Sequence, residues 1–152
     1  MCIRDSYMIA DNIKTRIAQY YKKKKRVIFP ELGLLRRGRL RADLLVLAMT
    51  GHIVIVEVKS SVSDYKADAR KKGSYLEYCN QFYYAMPEPV YLKVVETITE
   101  GIGVFIMSED GTKLRKVTPA KNRELKNEVK LSLAIRAAFR NAPDTTRKNK
   151  RI

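Results

Sequence analysis

The chain has 152 residues, 45% of them hydrophobic and 31% charged, the size and composition of one globular domain that can bury a core without disulfide or metal staples. Its longest apolar runs, such as residues 44–49, fall far short of the ~20 residues that cross a bilayer, which excludes a spanning helix. Thirty-one Lys and Arg against 16 Asp and Glu give a net charge of +15, a bias that attracts polyanions and makes nucleic acid the first partner to expect.

Residues 1–6 read as a non-native leader, so a single domain is expected over residues 7–142. No basic segment followed by an apolar stretch and a cleavage site opens the chain, which predicts a cytoplasmic protein. Ile9, Ile13, Ile17 and Tyr20 or Tyr21 recur at helical spacing, and the helix should end in Lys22, Lys23, Lys24 and Lys25. Cations there suit the helix macrodipole, and they equally suit contact with phosphate. A strand is predicted over 26–32, a basic turn over 33–38, and two strands over 40–48 and 52–59 joined by a short turn containing Gly51. That is a hairpin signal. Residues 61–78 are helix-permissive with a break at Gly73. Residues 81–86 form a strand stopped by Pro87 and Pro89. Strands over 103–107 and 113–117 pair across a turn at 109–111. Residues 123–142 make an amphipathic helix whose inner face carries Leu125, Val129, Leu133 or Ala134, and Ala138 or Phe139. Residues 143–152 form a basic tail, expected to be flexible. The order predicts an α/β domain with a central mixed β-sheet flanked by α-helices.

Two cysteines are too few for a disulfide framework, and the single His52 excludes a multi-histidine metal site and weighs against His-dependent nucleophilic catalysis. Chemistry therefore falls to carboxylates and lysines. Along the strand over 52–59, Glu57 and Lys59 share one face, while Val54, Val56 and Val58 share the other. The hairpin turn at 49–51 lies midway between Asp43 and Glu57 and sets them almost opposite each other. Two adjacent carboxylates repel unless a proton or cation lies between them. A hard divalent ion, Mg²⁺ or Mn²⁺, suits such oxygen donors, with Lys59 placed to act on water or on a phosphate. An Asp/Glu/Lys salt-bridge network at a sheet end is the alternative.

Arg41-Ala42-Asp43 followed by Glu57-Val58-Lys59 resembles the PD-(D/E)XK nuclease superfamily, of restriction-endonuclease-like fold. Within it, Glu57 to Ser61, Asp64, Tyr65, Asp68 and the run from Tyr78 to Ala85 resemble the MmcB family of DNA-repair-associated proteins. The chain departs from the family pattern at Asn80, where the family usually has Asp, and at Lys71 to Ser74, where it has a Lys-Trp pair. The resemblance implies Asp43 and Glu57 as metal ligands, the Val58 carbonyl as a third, Lys59 as the catalytic lysine, and Glu31 as an additional ligand. On the residues alone, Glu31 reads equally as a surface glutamate.

Ser60 and Ser61 are suited to cap the following helix. Asp64 and Asp68 share a helical face and either pair with a nearby Lys or Arg, such as Lys71 or Lys72, or approach the site. Gln81 is either a polar residue near the site or an amide beside the core. Tyr75, Tyr78, Tyr83 and Tyr84 read as half-buried core more than as base-stacking groups. Arg36, Arg37, Arg39 and Arg41 adjoin the carboxylates and suit bidentate phosphate binding. The expectation is a Mg²⁺- or Mn²⁺-dependent DNA nuclease in repair. A non-catalytic DNA-binding repair factor and an RNA-directed nuclease are the rivals, and the sequence leaves a homodimer open.

Overall fold

A computed structural model describes residues 3–35, 40–69 and 72–143. The chain runs α1 (Ile3–Lys23), β1 (Val27–Gly33), β2 (Arg41–Leu47), β3 (Ile53–Val58), α2 (Val62–Asp68) and α3 (Lys72–Tyr75). It continues through β4 (Gln81–Pro87), α4 (Glu88–Val94), β5 (Gly103–Met107), β6 (Leu114–Thr118) and α5 (Asn127–Asn141). The six strands form one sheet in sequence order. β1, β2 and β3 are antiparallel, β3, β4 and β5 parallel, and β6 returns antiparallel to β5. This is the expected mixed α/β sheet with helices on both faces.

Every residue of β3 and of β5 is buried, as helices covering both faces of a strand require, and Glu57 is the one charged residue among them. One face packs Val54, Val56, Tyr83 and Phe105 against Ile13, Ile17 and Tyr21 of α1. The opposite face packs Ile53, Ile55, Phe82 and Tyr84 against Tyr65, Val90, Val94, Leu133 and Ala137 of the later helices. Tyr75, Tyr83 and Tyr84 are core residues, and Tyr78 packs against the core. β1, an edge strand, carries Pro30, and β6, at the other edge, exposes Arg115 and Lys116.

Several boundaries differ from the sequence expectations for physical reasons. α1 begins at Ile3 and so takes in residues 3–6 of the expected leader, with Asp5 in its first turn, where a carboxylate suits the helix dipole. The break in the segment over 61–78 precedes Gly73, which lies inside α3. α5 starts at Asn127 because the stretch before it is held extended: Lys121 N–H donates to Gly101 O at 2.9 Å and Arg123 N–H to Asn80 O at 2.9 Å. Its inner face is Val129, Leu133 and Ala137, whereas Ala138 and Phe139 point outward. The expected flexible tail over 143–152 lies outside the described residues except for Pro143.

Tyr83 ties β4 to β5 and the loop after β6. Its hydroxyl accepts from Ala120 N–H at 3.1 Å, and its ring lies 4.9 Å from that of Phe105. A Cβ at Gly103 would meet the Tyr83 ring at 2.2 Å and the Ala120 nitrogen at 2.8 Å. Gly103→Ala is therefore expected to lower stability by about 1–3 kcal/mol through overpacking, read as a lower midpoint in urea denaturation.

Candidate active site

The β2–β3 register pairs Leu44 with Val56 and Leu45 with Ile55, which carries Asp43 opposite Glu57. The two are bound reciprocally. Asp43 N–H donates to Glu57 Oε1 at 2.9 Å, and Val58 N–H donates to Asp43 Oδ2 at 2.9 Å. Each carboxylate thus caps the backbone of the other's strand at the point where the sheet pairing ends. Glu57 is 3% exposed. Burial, followed by the charge of Asp43, pushes the Glu57 carboxyl well above its usual range. Burial likewise raises Asp43, opposed by the Val58 N–H and by the charges of Lys14 and Lys59.

Lys59 follows β3 directly, its backbone N–H donating to Ala85 O at 2.9 Å. Its side chain is 2% exposed, and its ammonium pairs with Asp68 and lies 4.0 Å from Asp64 Oδ1. Both aspartates are on α2, one helical turn apart, so the same helix face meets the lysine. Ser61 is the N-cap of α2, its hydroxyl accepting from Asp64 N–H at 3.1 Å. Asp64 in turn accepts from Ser60 N–H at 3.2 Å. Cap and clamp fix the start of α2 relative to Lys59.

Of the residues expected at the site, Asp43, Glu57, Val58, Lys59, Ser60, Asp64 and Asp68 come together. The aspartates engage Lys59 itself, so the alternatives of an ion pair and an approach to the site coincide. Glu31 falls opposite Asp43 in the β1–β2 register, but its carboxylate turns to Lys14 Nζ at 3.2 Å and Arg41 Nε at 2.8 Å. Its backbone is left-handed, with φ 55°, a conformation uncommon for a residue with a side chain. On either side of it Phe29 and Leu32 join the same core face although three residues apart, as do Ala42 and Leu45. The side-chain alternation therefore slips at the level of Glu31 and Asp43.

Gln81 does not join the site. It pairs with Val54 at the opposite end of the parallel strands and donates to Ala120 O at 2.9 Å, so it belongs beside the core. Asn80 is there too: its Oδ1 accepts from Ile53 N–H at 2.9 Å and its Nδ2 donates to Arg123 O at 2.8 Å. An Asp could accept from Ile53 but could not make that donation. Lys22 to Lys25 end α1, with Lys25 left-handed and Arg26 N–H returning to Tyr21 O at 3.1 Å, a helix-terminating geometry. Val27, next to the run, is about 13 Å along β1 from Glu31, so these lysines stand apart from the carboxylates. Of the arginine cluster, Arg36, Arg37 and Arg39 lie outside the described residues, as does Lys71, and Arg41 is held by Glu31.

Lys14 is a site residue that the sequence pattern did not signal. Tyr75 is another, its hydroxyl donating to Arg41 O at 3.2 Å beside the carboxylates. Among the described residues no group of three or more His, Cys, Asp or Glu is placed to hold a metal. The oxygen donors here are two adjacent carboxylates, a set that suits a hard divalent cation with water completing its shell. No helix among the described residues is long and apolar enough to cross a membrane.

The sequence matches, over residues 5–146, the family described as DNA repair protein MmcB-like. The fold resembles that of the SPO1766 protein of unknown function from Silicibacter pomeroyi, with a TM-score of 0.75 and 26% identity, covering 88% of this chain and 86% of that one. No curated protein matches the sequence.

Two predictions follow from the electrostatics. Because the Glu57 carboxyl holds its proton to higher pH when folded than when unfolded, the folded chain binds more protons above the ordinary carboxylate range. Without metal, stability should therefore fall as pH rises from about 5 toward 8, and Glu57→Gln should flatten that slope in thermal melts with chelator present. Asp68→Asn removes a counter-charge from the buried Lys59 ammonium, and with Asp64 still nearby the expected cost is about 1–3 kcal/mol in chemical denaturation.

Proposed function

Because the chain belongs to the MmcB-like family of DNA repair proteins, we propose that it is a Mg²⁺- or Mn²⁺-dependent nuclease of PD-(D/E)XK type acting on DNA. The observation that supports this most is the reciprocal clamp of Asp43 and Glu57, which holds two carboxylates side by side next to Lys59 at one end of β3. Burying that set is costly without a cation to complete it.

Asp43 and Glu57 would hold the metal, with the Val58 carbonyl as a further oxygen donor. Glu31 would join only by leaving Lys14 and Arg41. The ion supplies Lewis-acid polarisation of the phosphodiester and charge neutralisation when bound. Lys59, oriented by Asp64 and Asp68, offsets the negative charge that builds on the phosphate as water adds to phosphorus. The P–O ester bond then breaks, the leaving oxygen takes a proton, and a phosphate monoester and a hydroxyl remain. Lys14 and Arg41, ion-paired with Glu31 at the rim, would add positive potential toward the DNA backbone.

A second reading rests on the deep burial of Lys59 and its pairing with Asp68. A lysine committed to structure suits a repair factor that keeps the fold and binds DNA without cutting it.

Cleavage of labelled linear, single-stranded, flapped and four-way-junction DNAs and of matched RNAs separates the two. The nuclease reading expects Mg²⁺- or Mn²⁺-dependent cutting that falls by at least about 100-fold in Asp43→Asn, Glu57→Gln and Lys59→Ala. It also expects a metal-induced rise in melting temperature that Asp43→Asn loses. Salt-sensitive DNA binding without cutting, equal in wild type and Asp43→Asn, would overturn it in favour of the binding factor.

A further inference from the structure

α5 has two apolar faces, and among the described residues only one of them packs on the core. Val129, Leu133 and Ala137 pack on the core beside β1, whereas Leu131, Ile135 and Phe139 are 62%, 48% and 81% exposed. These three recur at four-residue spacing and form one continuous stripe along the helix. Single exposed apolar residues are ordinary on a protein surface, but a contiguous stripe of large ones marks an interaction site.

We propose that this stripe is a self-association surface through which two copies of the chain pair by antiparallel contact of their α5 helices. The pattern is self-complementary about Ile135: in an antiparallel pair Ile135 meets its own copy, and Leu131 meets Phe139 at both ends. Such reciprocity is what a two-fold interface demands. The small residues Ser132 and Ala138, beside the stripe, let the helices approach closely.

Charge points to the same partner and the same orientation. Glu128 stands at the start of the stripe, while Arg136 and Arg140 flank its second half. Antiparallel pairing brings each Glu128 to the arginine end of the other copy and aligns the two helix dipoles favourably. A parallel pair would set arginine against arginine.

A contact confined to one helix of this length, roughly 22 Å, lies in the small, reversible class of interfaces, so association is expected to be weak and concentration-dependent. The test is sedimentation of the full chain over a concentration series, with circular dichroism to confirm that each variant is folded. Wild type should dimerise with rising concentration, and Ile135→Glu should weaken dimerisation at least about tenfold. Glu128→Arg alone and the Arg136→Glu/Arg140→Glu double variant alone should each be monomeric, yet associate when mixed. Circular dichroism of each variant, the Arg136→Glu/Arg140→Glu double variant included, separates loss of pairing from unfolding. A monomer at every concentration up to about 500 µM, a dimer insensitive to Ile135→Glu, or charge variants that fail to recover on mixing would overturn the proposal. None of these outcomes depends on whether the chain cleaves DNA.

Discussion

The reciprocal bonding of Asp43 and Glu57 is the constraint on which the rest of the site depends. A one-residue slip of β2 against β3 would turn Asp43 to the other face, away from Glu57, and leave two backbone N–H groups without acceptors. The two hydrogen bonds therefore fix the hairpin register and the carboxylate geometry together. The electrostatic consequence runs against stability: burial and mutual repulsion favour a proton on the pair. A sheet that tolerates this arrangement gives up folding free energy at the Asp43–Glu57 pair.

The parallel crossover after β3 supplies the remaining part. Val58 is the last residue of β3, Lys59 is still tied to β4 through Ala85, and Ser61 already caps α2. In that short span the chain changes from strand to helix and sends a lysine under the helix it has just begun. Asp64 belongs to both jobs, bonding Ser60 N–H in the cap and standing near the Lys59 ammonium. The aromatic packing of Tyr65 on Tyr84, with ring centroids 5.3 Å apart, holds α2 down on the sheet. The position of the lysine thus depends on ordinary core packing as well as on charge.

Much of this was legible in the sequence because it rests on local periodicity. The hairpin, the apolar strands, and the opposition of Asp43 to Glu57 all follow from alternation about a short turn. What was not legible required tertiary contact. Nothing in the spacing of Asp64 and Asp68 says that they reach back to Lys59 in preference to the lysines that follow them. Gln81 could be read either as near the site or as beside the core because it starts a core strand, yet a parallel strand enters the sheet at the far end, and that is where it lies, next to Asn80. Phe139 fitted the helical period of the inner face but falls outward, because the extended segment before Asn127 sets the rotation of α5. Lys14 gave no signal because its role depends on how α1 crosses the sheet. The left-handed backbone at Glu31 is invisible to patterns that assume an uninterrupted strand.

The two outer strands bear on how the molecule behaves at high concentration. An open sheet presents unpaired N–H and C=O groups along each margin, and these can template the addition of another strand. Here Pro30 removes a donor from one margin, and Arg115 and Lys116 set positive charge on the other. A second molecule approaching either margin would meet a missing hydrogen bond or a like charge, so runaway strand-by-strand aggregation is disfavoured at both. The protein can thus carry a sheet with two fully buried strands and still remain a discrete particle.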